Sequence, residues 1–477
     1  MPQRSTVAEK EDKLKLLASL LKPYATLYEV GGAVRDELLG IERFDIDVCS
    51  KLRVEDVKKI LSNTDFVVSD KNLRMGTVHI SCGKFVCEYT TFRTDSYDSA
   101  SGEHTPKNVV FTTDMSLDAR RRDFKCNALY KNVETGEIVD LLGGIDDIKN
   151  KIISTADEPS VVFEADGLRV LRMVRFAAEL GFEVEKNTFE TARKNAWRVK
   201  DLAAERVRDE FEKILVADTK HKELGLKNAH IRGVEMLDEL GIIDMLLPEL
   251  ATLKDVEQPK KYHLYDAFNH SLKACEYAPP RLRFAALLHD VGKAEAIRQN
   301  GNMHDHARIG AQMADEICKR FKLPTATRKR IVKLVALHMT DINGDTRAAK
   351  LRRFVAINYD VIFDLCDLMD ADAMASSGKI DRENRIRNIA IEMQKDGSPL
   401  SVKDLKINGN DLVNIGVDEK SRAKVLNALW LDTVMNPVLN DRDKALAYVE
   451  KRLKQQVKRQ KTTVNKEKST VNRKNKR

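Results

Sequence analysis

Apolar and polar positions follow different periods in two parts of this chain. From residue 27 to about 155, short β-branched apolar runs alternate with helical periodicities, and glycine-containing turns separate them. Two stretches there have the period and central turn of hairpins, GTVHISCGKFVCEYTTF and KNVETGEIVDLL. Beyond 155 the strand patterns nearly disappear, and helical periodicity continues to about 455. The pattern predicts an α+β fold, with a small mixed sheet in an N-terminal head and an all-helical remainder.

Length and composition restrict the class of protein. A chain of 477 residues is too long for one core, and 33% charged with 6% aromatic residues favours a helix-rich protein. No apolar run approaches the roughly 20 residues that span a bilayer. The first residues, MPQRSTVAEKEDK, lack the apolar segment of a secretory signal. Seven scattered cysteines without a CxxC pair indicate reduced thiols, so we expect a cytoplasmic protein with no membrane partner.

The net charge of +8 is unevenly distributed. Residues 451–477 carry twelve Lys or Arg and one Glu, a charge of +11, so the other 450 residues sum to about −3. Because this tail has almost no apolar residues, it cannot bury a core and is expected to be disordered. Its cations either remain solvated or contact the phosphate backbone of RNA.

The stretch YEVGGAVRDELLGIERFDIDVC combines a glycine turn with two carboxylates. A strand, then Gly31 and Gly32, then a helix start expose backbone N–H groups that suit a phosphate. Asp45 and Asp47 alternate on a short strand, so both carboxylates point to one face. Such a pair can ligate Mg²⁺, which the phosphates of a nucleotide also ligate. The stretch predicts a nucleoside-triphosphate site, and the alternative is a hairpin with a polar outer face.

Further candidate residues follow on neighbouring elements. Glu88 in FVCEYTTF lies on a candidate central strand and could complete a metal triad with Asp45 and Asp47, unless it is an edge-strand surface residue. The segment SLDARRRDFKCNAL predicts a helix whose guanidiniums and carboxylate suit phosphate and ribose contacts, unless they form a solvated charged face. The candidates on this segment are Arg121, Arg122, Asp123 and Asn127.

The segment FEADGLRVLRMVRFAAELGF predicts a helix with a polar stripe. Asp166, Arg169, Arg172 and Arg175 lie three apart along it. Asp accepts a hydrogen bond from an exocyclic amine and Arg donates to a ring nitrogen or carbonyl, whereas uracil and guanine present a carbonyl where the amine lies. The pair Asp166 and Arg169 could therefore accept CTP and ATP and reject UTP and GTP, which leaves Arg172 and Arg175 for phosphates. The alternative is a set of intrahelical salt bridges.

The ordered motifs VGGAVRD, FDIDV, RRDFKCNAL, DGLRVLRMVRF and DLKINGNDL resemble those of class II CCA-adding tRNA nucleotidyltransferases and the related bacterial poly(A) polymerases, from about residue 25 to 450. The resemblance implies a polymerase-β-like head, a neck that selects the base with protein side chains, and helical domains that hold tRNA. It also implies individual roles: Asp45 and Asp47 for the metal, Gly32 and Arg35 for the triphosphate, Arg122 and Asp123 for the nucleotide, Asp166 and Arg169 for the base edge, and matching positions for Glu88, Arg172 and Arg175.

Three positions depart from that family pattern. The family usually has Glu before the neck aspartate, where this chain has Ala165. RRDFK replaces the family's RRDFT, and the run DEKSRAK replaces the glycines that usually follow NGNDL.

Six of the ten histidines lie between residues 263 and 338. Adjacent His and Asp in ALLHDVGKA, with further His and Asp on separate helices, suit a single or dinuclear divalent metal site, although each alone could be structural. The set resembles the HD phosphohydrolase pattern, which implies action on 2′,3′-cyclic phosphates or related phosphoesters. The candidate ligands are His270, His289, Asp290, His306, His338 and Asp372.

These observations predict six segments along the chain. They are an N-terminal helical extension (1–24), the nucleotidyltransferase head (25–155), a neck and RNA-binding region (156–262), an HD domain (263–380), a helical tail (381–455) and the disordered basic tail (456–477).

The expected function is template-independent addition of CCA to the 3′ end of tRNA from CTP and ATP, with Mg²⁺ and release of pyrophosphate. Within the same class, a poly(A) polymerase or an enzyme that adds only CC or only A remains an alternative. Outside it, the alternatives are a metal-dependent HD phosphohydrolase acting on RNA or nucleotide phosphoesters and a catalytically silent RNA-binding protein.

Overall fold

The protein is represented by a computed structural model. The described residues are 7–42, 46–96, 108–258, 264–380 and 384–455. Two predictions fall outside these ranges, the metal ligand Asp45 and the disordered tail at 456–477. The predicted α+β fold is confirmed, with a mixed sheet in the head and helices through the rest of the described chain. Over the same ranges, no helix has both the length and the apolar character that crossing a bilayer requires.

The strands lie almost entirely in the head. They are β1 (Tyr28–Val30), β2 (Asp47–Ser50), β3 (Val67–Asn72), β4 (Thr77–Cys82), β5 (Phe85–Thr91), β6 (Arg93–Ser96), β7 (Asn108–Phe111), β8 (Leu129–Asn132), β9 (Ile138–Asp140), β10 (Ile152–Ile153) and β11 (Glu183–Val184). Seven of them form one sheet in the order β3-β4-β5-β2-β1-β8-β9, in which only β2 and β5 pair in parallel. The two predicted hairpins are present as β4–β5 and β8–β9.

Helices surround the sheet and build the rest of the molecule. Those of the head are α1 (Val7–Leu21), α2 (Gly32–Leu38), α3 (Val54–Leu61), α4 (Met115–Arg120) and α5 (Gly144–Asn150). Those that follow are α6 (Pro159–Ala165), α7 (Leu168–Leu180), α8 (Lys186–Asn195), α9 (Ala204–Leu215), α10 (Ala229–Glu239), α11 (Ile242–Leu246), α12 (Pro248–Ala251), α13 (Ala267–Tyr277), α14 (Arg283–Leu288), α15 (Lys293–Asn300), α16 (His306–Arg320), α17 (Thr325–Leu337), α18 (Ala348–Ile357), α19 (Ile362–Ser377), α20 (Arg385–Lys395), α21 (Gly409–Asn414) and α22 (Glu419–Met435). A last helix covers 442–455.

The head has its own apolar core against one face of the sheet. On α3, Val54, Val57 and Leu61 lie three and four residues apart and are all buried, which is the spacing of one helix face. They pack with residues of α1 such as Leu17 and with alternate residues of β4 and β5. The sequence periods of 3.6 and 2 therefore meet in one core, which fixes the register of the central strands.

The neck and the HD region share one continuous apolar core. It begins at Val34 and Phe124 in the head. From there it continues through α7, α9 and α10 into the helices from α13 to α20. The tail has a separate core over residues 405–449. Trp430 on α22 packs against both cores, and its indole Nε1 donates to the Pro399 carbonyl at 2.8 Å. The tail is thus joined to the body in part through Trp430.

Two helix predictions need correction. The helix predicted across Arg121 to Asn127 ends at Arg120, because the Asp123 carboxylate accepts from the Phe124 N–H and draws the chain into a turn. The helix predicted from Asp166 onwards begins at Leu168. Asp166 itself has an extended backbone, and its side chain accepts from the Leu168 N–H at 2.9 Å. This residue therefore stands at a break between α6 and α7, not on the stripe of α7.

Candidate active site

Two carboxylates lie side by side on the central strands of the head. In the parallel pairing of β2 and β5, Asp47 is the register partner of Glu88, so both side chains leave the same face. The Glu88 N–H donates to the Ile46 carbonyl at 2.9 Å, which locks this register. Lys71 on β3 forms an ion pair with Glu88. Two carboxylates on one face fit a hard divalent cation, and the third predicted ligand, Asp45, lies outside the described residues.

The glycine turn stands at the end of strand β1, beside Asp47 on the neighbouring strand β2. In the antiparallel pairing of β1 with β2, Glu29 lies opposite Val48, so Asp47 is level with the end of β1. Gly31 follows that end with φ 78° and ψ −138°, a conformation that favours glycine. A Cβ on Gly31 would lie 3.8 Å from Nη1 of Arg122. The turn therefore brings bare backbone between the carboxylates and an arginine.

A chain of hydrogen bonds connects four of the predicted residues beneath this turn. Arg35, only 4% exposed, donates from Nη1 to Oδ1 of Asn127 at 2.7 Å and also pairs with Asp36. Asn127 donates to Oδ1 of Asp123 at 3.2 Å. Arg172 on α7 donates to Oδ2 of Asp123 from Nε at 2.9 Å and from Nη2 at 2.7 Å. The network ties the head to the neck, and it commits the Arg35 guanidinium to side chains of the protein.

Electrostatics keep the carboxylate of Asp123 ionised within this network. Burial raises its pKa, but the charges of Arg172 and Arg169 and the hydrogen bond from Asn127 lower it more, well below the usual range. An ionised Asp123 can only accept hydrogen bonds, which is what its contacts require.

A second buried carboxylate, Asp118, holds the other two arginines. Arg121 Nε donates to Asp118 Oδ1 at 2.8 Å, and Arg122 Nη2 donates to Oδ2 at 3.1 Å. The Tyr130 hydroxyl donates to the same Oδ2 at 2.7 Å. Burial raises the pKa of Asp118, but the charges of Arg122 and Arg121 together have the larger effect and lower it to about 2. Asp118 thus fixes both guanidiniums at the site.

The two residues predicted to select the base lie at the α6–α7 break. Arg169 donates from Nη2 to the Arg121 carbonyl at 2.6 Å and from Nη1 to the Val162 carbonyl at 3.3 Å. Asp166 accepts from Nη2 of Arg206, on α9, at 2.8 Å. Arg169 therefore reaches the same turn that carries Arg122 and Asp123, so the neck and head sides of the site meet there.

Arg175 is placed apart from these residues, in the interior. Its guanidinium donates to Glu210 at 2.5 Å and to Glu179 at 2.8 Å, and it stacks on Phe176 with 4.0 Å between Cζ and the ring centroid. Only 8% of the residue is exposed. The geometry matches the alternative of a salt bridge within the helix, since Glu179 lies four residues after Arg175.

The six histidine and aspartate candidates converge on one point in the HD region. They come from the ends or interiors of α13, α14, α16, α17 and α19. Two triads form within them, and in each the ligand atoms lie within 4.8 Å of one another. One consists of His270, His289 and Asp372, and the other consists of Asp290, His306 and His338.

Asp290 joins the two triads. Its Oδ2 lies 3.2 Å from Nε2 of His289, and its Oδ1 lies 3.2 Å from Nε2 of His306. The Nδ1 atoms of His289, His306 and His338 each approach a backbone carbonyl within 2.9 Å. An Nδ1–H that donates to a carbonyl aims Nε2 inward, where loss of its proton would provide a lone pair for a metal ion. These donors would suit one or two divalent cations, with Asp290 between the two groups of histidines.

Charge within this cluster favours a cation. Although burial lowers the pKa of His289, Asp290 and Asp372 raise it more, to about 10. Lys293 also pairs with Asp290 at 2.5 Å. Protonated His289 and Lys293 thus supply positive charge beside Asp290, which a bound metal ion would also supply.

The close approach that creates the cluster depends on glycine. A Cβ on Gly292 would lie 2.2 Å from the His306 carbonyl and 2.5 Å from the Gly310 N atom, so only glycine lets α16 pass this close to Asp290. Beside the cluster lies a cavity of 960 Å³ with apolar walls that include Met303 and Met339 and a rim that includes Arg308 and Lys379.

Three side chains that contact predicted site residues were missed by the sequence predictions. Asp118 lies three and four residues before Arg121 and Arg122, so helical spacing could have revealed it. Glu210 sits between the buried Val207 and Phe211 on α9, and a carboxylate on an apolar face is a signal in itself. Arg206 gave no local signal, because its partner is forty residues earlier.

Three protein-family models match separate parts of the chain. The poly A polymerase head domain matches residues 27–154, the probable RNA and SrmB-binding site of polymerase A matches 181–254, and the HD domain matches 261–372. The matches follow the head, the neck and the histidine cluster in order.

Two relatives are similar over most of the chain. The A-adding tRNA nucleotidyltransferase of Deinococcus radiodurans is 31% identical over 366 residues, which cover 73% of this chain and 76% of that protein. The CCA-adding enzyme of Ligilactobacillus salivarius is 29% identical over 451 residues, 93% of this chain and 97% of that protein. In structure, the Bacillus stearothermophilus CCA-adding enzyme in complex with CTP superposes with a TM-score of 0.66 at 22% identity, over 95% of this chain and 100% of that one. The fold is shared along nearly the whole length.

Proposed function

This chain belongs to the family of tRNA nucleotidyltransferases that includes A-adding and CCA-adding enzymes, and we propose that it adds CCA to the 3′ end of tRNA from CTP and ATP. The main supporting observation is the pairing of Asp47 with Glu88 on the central strands, near the end of β1 where the Gly31 turn approaches Arg122. Similarity to a CCA-adding enzyme over 93% of the chain supports the same reaction. Each addition joins a nucleotide to the RNA 3′ oxygen and releases pyrophosphate.

The family implies use of a divalent metal, and we propose Mg²⁺ at Asp45, Asp47 and Glu88. Bound there, the ion would make the RNA 3′-hydroxyl easier to deprotonate and would stabilise charge on the triphosphate. The residues themselves contribute position: the two described carboxylates share one face, and the Gly31–Gly32 backbone N–H groups are available to the triphosphate.

Base choice is assigned to Asp166 and Arg169. The carboxylate would accept from the exocyclic amine of cytosine or adenine, and the guanidinium would donate to the adjacent ring nitrogen or carbonyl. Arg169 donates to the Arg121 carbonyl, so the residue assigned to the base edge is attached to the turn that carries the arginines proposed for phosphate. Arg172 positions Asp123, and Arg175 positions α7, so neither needs to touch the nucleotide.

The test is a transfer assay on two tRNAs, one ending at the discriminator nucleotide and one ending in CC, with Mg²⁺ and CTP alone, ATP alone or both. Products are sized to single nucleotides. Two additions with CTP and three with both support CCA addition. One addition of A, only to tRNA that already ends in CC, would mean an A-adding enzyme; a stop after CC even with both nucleotides would mean a CC-adding enzyme, and a long ladder with ATP would mean a poly(A) polymerase. No addition to any of these tRNAs would refute the proposal.

A second activity is favoured by the HD cluster. We propose a metal-dependent phosphohydrolase, because Asp290 of one triad also approaches His289 of the other, and the inward-facing Nε2 atoms of the two triads would suit two cations. The cavity beside it, with Arg308 and Lys379 at its rim, suits a phosphoester. The assay supplies Mg²⁺, Mn²⁺, Ni²⁺ or Zn²⁺ separately with 2′,3′-cyclic nucleotides and bis-p-nitrophenyl phosphate. Absence of both metal binding and hydrolysis with every ion would leave the cluster structural.

We propose that the protein acts in the cytoplasm. All seven cysteines are free thiols and buried, which agrees with a reducing compartment. The basic segment 456–477 is proposed to add contacts to the RNA backbone, which should appear as a steeper salt dependence of tRNA binding in the full chain than in one ending at residue 455.

A further inference from the structure

The carboxylate of Asp166 uses both of its oxygens within the protein. Oδ1 accepts from the Leu168 N–H at 2.9 Å and so begins α7. Oδ2 accepts from Nη2 of Arg206 at 2.8 Å. These two bonds, one to each oxygen, fix the plane of the carboxylate.

Residue 165 cannot supply this orientation. It is Ala165, and the carboxylate expected at that position from the family pattern is missing. Arg169 is instead oriented by the carbonyls of Arg121 and Val162, which do not depend on residue 165. The side chain that orients Asp166 therefore comes from another helix.

Helix α9 presents a matched pair of charges to the start of α7. Arg206 and Glu210 lie four residues apart and so share one face. Arg206 binds Asp166, and Glu210 binds Arg175 at 2.5 Å and lies 4.0 Å from Arg172. Arg208 on the same helix points elsewhere, since it pairs with Asp209 and donates to the Lys322 carbonyl. The contact of Arg206 with Asp166 thus belongs to a built surface.

We propose that Arg206 is a positioning residue for base selection, which it performs by holding the Asp166 carboxylate in the plane that receives the exocyclic amine of CTP or ATP. This inference rests on the proposed nucleotide addition. Without the guanidinium, the carboxylate can rotate about its side-chain bonds, and a rotated carboxylate no longer opposes the carbonyl of uracil or guanine. Rejection of UTP and GTP should therefore weaken more than use of CTP and ATP.

The test compares Arg206→Ala, Arg206→Lys and the control Arg208→Ala. For each variant, kcat/KM is measured with CTP, UTP, ATP and GTP, together with the Kd for tRNA. Loss of one charged hydrogen bond should reduce the CTP-to-UTP preference about tenfold in Arg206→Ala. Arg206→Lys should recover part of the preference, and Arg208→Ala should keep all of it. The tRNA Kd should stay unchanged in all three.

An unchanged preference in Arg206→Ala, or an equal loss in Arg208→Ala, would overturn the inference. If Arg206→Ala does not fold, Arg206→Gln carries the same expectation and the same overturning result. The double variant Asp166→Asn with Arg206→Ala should lose no more preference than Asp166→Asn alone. If the unaltered protein adds no nucleotide, the proposed function fails; if it adds normally while Arg206→Ala keeps full preference, only the role of Arg206 fails.

Discussion

The head site and the HD cluster are built on opposite principles. In the head, Asp47 and Glu88 are aligned by strand register, and the arginines around them are held by carboxylates from distant segments. In the HD region, six candidate ligands come from helices and their ends, and all except the partly exposed Asp372 are buried. A site that exchanges nucleotides at each cycle must remain open, whereas a site that retains metal can be enclosed. The difference indicates how each will respond to substitution.

Asp47→Asn should have the largest effect and should separate the two sites. Removing this carboxylate charge should lower nucleotide addition about a thousandfold, while phosphoester hydrolysis by the HD region stays unchanged. Addition rates and hydrolysis are measured on the same preparation. Asp70→Asn, an exposed residue on β3 paired with Lys58, is the matched control and should lose neither activity. Equal losses of both activities in Asp47→Asn would show that the sites are not independent.

Asp290→Asn should produce the converse separation. Because Asp290 belongs to one triad and also contacts His289 of the other, its loss should reduce metal content and lower hydrolysis about a hundredfold while leaving CCA addition intact. Metal is counted by mass spectrometry and both activities are assayed. Asp305→Asn, in the wall of the adjoining cavity but outside both triads, is the control. Retention of full metal content by Asp290→Asn would contradict its proposed role as a metal ligand.

Gly292→Ala should test how tightly the HD cluster is packed. The added methyl would overlap the His306 carbonyl and the Gly310 backbone, so the free energy of unfolding should fall by about 2 kcal/mol. Urea unfolding gives the value. Gly409→Ala, where a Cβ would meet nothing within 4 Å, should change it little. Equal stability of the two variants would mean that α16 can shift without cost.

Lys71→Met should have the smallest effect. The pair of Lys71 with Glu88 is half-exposed, so its loss should change the free energy of unfolding by no more than about 0.5 kcal/mol. Because Glu88 then has one cation fewer beside it, the Mg²⁺ concentration that gives half-maximal addition should fall. A rise in that concentration would show that Lys71 assists the site instead of competing for Glu88.

The sequence predicted the HD cluster more completely than the neck. Its six side chains come from five short segments, and the structure brings all six together. The alternation of residues along β5 likewise led to Glu88, which the structure pairs with Asp47. The fold class followed from the change in apolar period near residue 155, because period reflects burial on one face.

The neck was predicted less well because its contacts are long-range. A spacing of three placed Asp166 on a helix with three arginines, but the local bond from Asp166 to the Leu168 N–H ends one helix and starts another. Arg175 was assigned to phosphates, yet two buried glutamates surround it, one of them thirty-five residues later. Local periodicity cannot identify a partner on another helix, and those partners decide whether an arginine faces a ligand or the interior.

Trp430 lies between the tail core and the body core, so its fluorescence can report on the contact between them. The chain has two tryptophans, and the other, Trp197, is 55% exposed. In a Trp197→Phe variant, emission would come from Trp430 alone, at the joint that connects the tail to the body. A change in emission wavelength when tRNA is added would indicate that this joint opens as RNA is held. Constant emission would indicate that the tail keeps its docked position throughout the cycle.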